Sequence, residues 1–166
     1  MADIQFAKDF AKELEAETPS TLKCLERFSM DLFNYKPHER SMEMGYLAVL
    51  VAEIPLWVAH IIKENEIDLA TFPHLQPKSA EDIVNYFKNN LEKAKEALLS
   101  MKQKQFDDKF ELKVDGKVVL GGTKKEHIAP TINHMVHHRG QLTVYMRLNN
   151  IAVPSIYGPS ADEKSF

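Results

Sequence analysis

Residues 134–141 read HMVHHRGQ and hold three of the chain's seven histidines. His134 and His138 stand four apart, so on a helix they share one face, one turn apart. Two imidazoles so placed can converge on a single divalent metal ion, because neutral imidazole nitrogen is a good ligand for the transition metals. They can equally form a polar pair inside a helical protein, satisfied by water or by a carboxylate. His137 is rotated about 100° from His138 and points to a hydrogen-bond partner or to solvent. His127 precedes His134 by two turns, roughly 10 Å, too far to share one coordination shell. Catalytic zinc keeps three protein ligands and an open position, so the pair needs help from elsewhere in the chain.

The elements that must position it are legible from periodicity and punctuation. A first helix is expected from about Ile4 to Phe28, with Thr18-Pro19 bending or restarting it, since Thr is a good N-cap and Pro suits the first helical position. Ser41 is expected to cap a second helix, nearly apolar all round, that runs to Lys63 with a kink at Pro55. DLATFPHLQPK reads as loop. Ser79 with Asp82 three residues on makes a capping box for a third, one-sided amphipathic helix. FELKVDGKVVLGG alternates on both sides of Asp115-Gly116, a favoured two-residue turn, and predicts a hairpin of 110–114 with 117–121. A fourth helix from Lys124 to Asn149, kinked near Pro130, carries the histidines. The tail is expected to cross the helices by Ile156 and Tyr157. The fold class is therefore all-α: a four-helix bundle, one domain over 1–166, with a small β-hairpin between its third and fourth helices.

Composition narrows the function classes. With 166 residues, 44% hydrophobic and 27% charged, the chain suits one globular domain with a substantial core. A net charge of −3, from 21 basic and 24 acidic residues, gives no general attraction to nucleic acid or anionic membranes. Residues 45–62 are long enough to tempt a membrane reading, but Glu53 at their middle argues for a buried core helix. A lone Cys24 and a charged N-terminus without an apolar leader core point to the cytoplasm. There is no glycine-rich phosphate loop and no Ser-His-Asp, Cys-His or paired-carboxylate spacing.

SMEMGYLAVLVAEIPLWV, HMVHHRGQLTVYMRLNN and VPSIYGPSADE together resemble the DinB-like (DinB/YfiT) superfamily of metalloenzymes, over almost the whole chain in element order. The resemblance implies a four-helix bundle holding a divalent metal by three histidines, one from the second helix and two from an H-x-x-x-H in the fourth. It also implies, for some members, thiol-dependent transfer or isomerisation. The two later ligands fall on His134 and His138. The first falls on Leu50, which has no donor atom, while Gly45, Leu47, Ala48, Ala52, Glu53 and Pro55 fit the surrounding pattern.

Glu53, three residues on and about 4.5 Å along the axis, is a candidate replacement, since carboxylates ligate zinc, iron and manganese. His60 is about 15 Å from Leu50 along the helix and on another face. Two readings follow. One is a metal-dependent transferase or hydrolase-type enzyme with an incomplete site, its zinc, nickel, iron or manganese weakly bound or lost. The other is a non-catalytic small-molecule-binding or interaction bundle. A homodimer is expected, with surplus apolar surface on the second helix. Arg139 reads as a structural ion-pair residue, Gly140 as a close helix crossing or kink, Trp57 as core, and Gln141 with Tyr145 as the cavity mouth.

Overall fold

The computed structural model describes residues 2–164, with the side chains from Ile4 onward. Four helices carry the chain: α1 (Ala2–Glu26), α2 (Met44–Lys63), α3 (Ala80–Ser100) and α4 (Lys124–Leu148). Between them lie three short strands, β1 (Glu66–Asp68), β2 (Lys109–Val114) and β3 (Lys117–Thr123), forming one sheet in the order β1-β2-β3. β2 and β3 make the expected hairpin. Asp115 (φ 50°) and Gly116 (φ 73°) take the left-handed conformations that such a turn requires. The hairpin was expected to be the only sheet; instead β1 adds a parallel strand, pairing Ile67 with Leu112. Three residues of strand carry too little periodicity to announce themselves, and their partner lies over forty positions away.

β1 also fastens the turn. The Asp68 carboxyl accepts N–H bonds from Asp115 (3.1 Å), Gly116 (2.7 Å) and Ala70 (3.0 Å). Those bonds, that from Gly116 foremost, hold its pKa below the usual carboxylate range.

α2 is the central helix. Leu47, Ala48, Val51, Ala52, Ile54 and Val58 are almost wholly buried, and this apolar helix is covered inside the chain, 78% of its most apolar stretch being buried. It runs antiparallel to α4: Lys124 Nζ donates to the Ile62 carbonyl (3.0 Å) at one end, and Tyr145 Oη to the Met42 carbonyl (3.1 Å) at the other. At the start of α2, the ring of Phe33 lies where a Gly45 side chain would be, so only glycine fits there.

Several local expectations need correction. α1 does not restart at Pro19; the helix is continuous. Thr18 does not cap, but returns its hydroxyl to the Leu14 carbonyl (2.7 Å), and Thr21 does the same to Glu17 (2.8 Å). The lost hydrogen bond and ring clash of an interior proline cost about 3 kcal/mol, which burial of Leu14, Cys24 and Leu25 in the core offsets. α2 starts at Met44 after Glu43 rather than at Ser41, without a side-chain cap. Ser79 and Asp82 do form the capping box of α3, and Thr123 with Glu126 forms another for α4, which the sequence reading missed. Gly140 is exposed, with no atom within 4 Å of where a Cβ would stand, so no close helix crossing explains it within this chain. Arg139 is the buried ion-pair residue expected. Its Nη1 lies 2.6 Å from Glu17 Oε2 and donates to Thr21 Oγ1 (3.1 Å), and its Nη2 donates to Tyr157 Oη (2.9 Å).

The tail does cross the helices, with Ile156 against the core, but Tyr157 is 69% exposed and holds on by its hydroxyl. Cys24 is completely buried, and burial pushes its thiol up to about 11 against the pull of Arg139 and Arg27.

Candidate metal centre and adjoining cavity

α4 brings His134 and His138 together as the four-residue spacing requires. Their Nε2 atoms are 2.7 Å apart and their ring centroids 4.4 Å. His138 is buried and His134 half-buried. One turn on, Gln141 Oε1 lies 2.6 Å from His138 Nδ1. A carbonyl oxygen only accepts, so His138 carries its proton on Nδ1 and presents a bare lone pair at Nε2. His134 Nε2–H then donates to it. Burial, followed by the neighbouring His138 and His137, depresses His134 to about 4. Burial likewise lowers His138, although Gln141 pulls the other way. Both rings are therefore neutral at pH 7, the state in which imidazole ligates metals.

This pair fits the first half of a metal site. Two nitrogens bound tetrahedrally at about 2.05 Å stand about 3.3 Å apart, so the rings need open by only about 0.6 Å. The His134 proton must also pass from Nε2 to Nδ1. The bond from His138 Nδ1 to Gln141 is the outer contact that typically orients a ligating imidazole.

Glu53 is not brought to the pair. It is fully buried in α2, and its carboxyl group is engaged elsewhere. His74 Nδ1 lies 2.9 Å and 3.1 Å from its two oxygens, Trp57 Nε1 donates to Oε1 (3.1 Å), and Tyr86 Oη to Oε2 (3.4 Å). Burial, followed by the charge of Glu53, pushes the Tyr86 phenol up to about 12. Among the described residues, no three His, Cys, Asp or Glu side chains gather around a common point. Leu50 is buried in α2. His60 packs on Phe72, His127 on Phe110, and His137 is exposed.

His74 is the residue the sequence reading passed over. It lies in an unperiodic loop, 21 positions from the carboxyl it meets. Its one signal is that a buried glutamate demands a hydrogen-bonding partner.

Trp57 joins the two groups. Its indole N–H is held by Glu53 and its ring sits 5.6 Å from that of His134. Beyond it opens a cavity of ≈ 220 Å³ between α2, the sheet and α4, with His134 at its edge.

Comparison with known proteins sets this geometry in a family. The DinB family model matches residues 2–165. Uncharacterized protein YjoA of Bacillus subtilis (strain 168) is 28% identical over 128 residues, 76% of this chain and 80% of YjoA. Uncharacterized protein YrdA of the same strain matches locally, 56% identical over 32 residues and 19% of each chain. The crystal structure of the DinB-like protein YjoA from Bacillus subtilis superposes with a TM-score of 0.69 at 21% identity, covering 95% of this chain and 99% of that one. A DinB-like protein from Bacillus cereus ATCC 10987 gives 0.68 at 25% identity, covering 90% and 97%. With a family match along nearly its whole length and this fold, the chain belongs to the DinB family.

Proposed function

We propose that His134 and His138 are two ligands of a DinB-type site for zinc, nickel, iron or manganese, in which Leu50 stands where a third histidine would. The observation that carries this reading is the facing Nε2 pair, with Gln141 fixing the His138 tautomer. The burial of Leu50 in α2 is in keeping with it. A bound ion would supply Lewis-acid polarisation of an oxygen or sulfur on a small-molecule substrate, in a transferase or hydrolase-type reaction. With two protein ligands the ion is held weakly and keeps positions for water or substrate. Glu53 joins the ligand set only by leaving His74, Trp57 and Tyr86.

A second reading, a small-molecule-binding protein without catalysis, is favoured by the engagement of Glu53 and the absence of a donor on Leu50. For the whole chain we hold to a four-helix bundle acting in the cytoplasm as a homodimer, without nucleic acid. Val144 and Leu148, each 56% exposed and one turn apart on α4, support the dimer better than the buried α2 does. Light scattering giving the 19.0 kDa monomer at high micromolar concentration would reject the dimer.

Metal titration of the parent and of Leu50→His tests the site. The variant completes a three-histidine set and is expected to bind zinc or nickel at least about tenfold more tightly. Its metal-free form should lose roughly 1–3 kcal/mol of stability, because the new ring lacks a partner. Equal affinities would sink the placement of Leu50, unless Glu53→Gln abolishes parental binding and so identifies Glu53 as the third ligand.

A further inference from the structure

We propose that the cavity beneath the hairpin binds an uncharged, largely hydrocarbon small molecule carrying one hydrogen-bonding group, seated with that group at His134. This names the class of molecule for the site just described, and rests on that reading only for the part played by His134.

The walls carry the inference. α2 contributes Trp57 and Ile61, the sheet Ile67 and Phe110, and α4 Thr131 and His134. Leu120, on β3 and 52% exposed, stands at the rim. Among the described residues, no Asp, Glu, Lys or Arg lines the space. A charged ligand would give up its hydration there and meet no counter-charge, so the site selects neutral molecules. The polar groups in the wall are few. The Thr131 hydroxyl is already committed to the His127 carbonyl (2.7 Å). That leaves the imidazoles of His127 and His134; His134, its Nε2–H given to His138, keeps Nδ1 as the acceptor that orients a ligand's donor.

Size sets the rest. An engineered apolar cavity of about 150 Å³ takes up benzene, so ≈ 220 Å³ suits one ring with a short substituent, or an alkyl chain of like bulk. Protein interiors usually close such voids, because unfilled walls forfeit dispersion contacts. Here the N–H groups of Asp115 and Gly116 bond to Asp68, tying β1 and the hairpin into one wall of the cavity.

Trp57 is the chain's only tryptophan and stands in the wall, so its emission reports occupancy. Benzyl alcohol, benzoate and benzylamine are close in shape and differ in charge at neutral pH. Benzyl alcohol is expected to shift Trp57 emission saturably, with a Kd on the order of a millimolar or tighter. The two ions should bind at least about tenfold more weakly. Thr131→Phe fills the cavity and should remove the response. Leu120→Lys charges the rim and should weaken it; lying half in solvent, it decides the matter if Thr131→Phe fails to fold. His134→Leu should lower the affinity ratio of benzyl alcohol to ethylbenzene about fivefold to tenfold.

Each titration is run with chelator and again with zinc. A saturable response in a protein with no affinity for zinc upholds the cavity and rejects the metal site; zinc binding without any response does the reverse. Unchanged emission with benzyl alcohol up to its solubility limit, binding of either ion as tight as that of benzyl alcohol, or a parental response in both Thr131→Phe and Leu120→Lys overturns the proposal.

Discussion

His134 and Arg139, five residues apart on α4, solve the problem of an interior polar side chain in opposite ways. Arg139 keeps its charge and surrounds it with Glu17, Thr21 and Tyr157. His134 gives its charge up, lowered to about 4 chiefly by burial. The unfolded chain takes that proton first, near the ordinary histidine value of about 6.5. Stability from His134 is therefore complete above about pH 6.5 and drains away as pH falls through 6.5 towards 4. Proton NMR of the imidazoles should show His134 titrating near 4; a midpoint above 6 would contradict its burial. The histidine pair was legible in the sequence because both members sit on one helix, where spacing alone determines proximity. The Glu53–His74 contact was not, because a loop histidine meets its partner only after the chain has folded back.

Among the elements, what could be read was what is decided locally. The Asp115-Gly116 turn and the Ser79 capping box depend on four or five consecutive residues, and both formed as expected. β1 depends on β2, and the start of α2 depends on where Phe33 covers Gly45, so neither could be seen in its own stretch. The restart at Pro19 was over-read for the same reason, since α1 passes that residue without a break. Gly140 sits within α4, exposed and unobstructed. Gly140→Ala should therefore stabilise the monomer by about 0.5–1 kcal/mol, by removing backbone freedom from the unfolded chain. Urea unfolding measures this. A loss of stability instead would mean that the exposed face of α4, with Val144 and Leu148, lies against a second copy.

Across the whole molecule, the tail acts as a clasp. Glu163 receives Lys23 (3.2 Å), Arg27 and the Ser155 N–H (3.0 Å), while Asp162 receives Arg147 and the Val153 N–H (2.8 Å). The C-terminal ends of α1 and α4 are thus tied to each other through the last residues of the chain. Those bonds, that from Arg27 foremost, hold Glu163 down to about 2. Its contribution is complete above the unfolded value of about 4.5 and is lost as pH falls through 2. Glu163→Gln should lower the melting temperature at pH 7 and narrow the gap to the parent as pH approaches 2.5; a constant gap would show that the clasp carries no such linkage. A different consequence follows from Cys24, sealed beneath this clasp with its thiol near 11. The thiolate is the reactive form, so alkylating reagents reach this sulfur only when the structure around it opens, and the labelling rate becomes a clock for that opening.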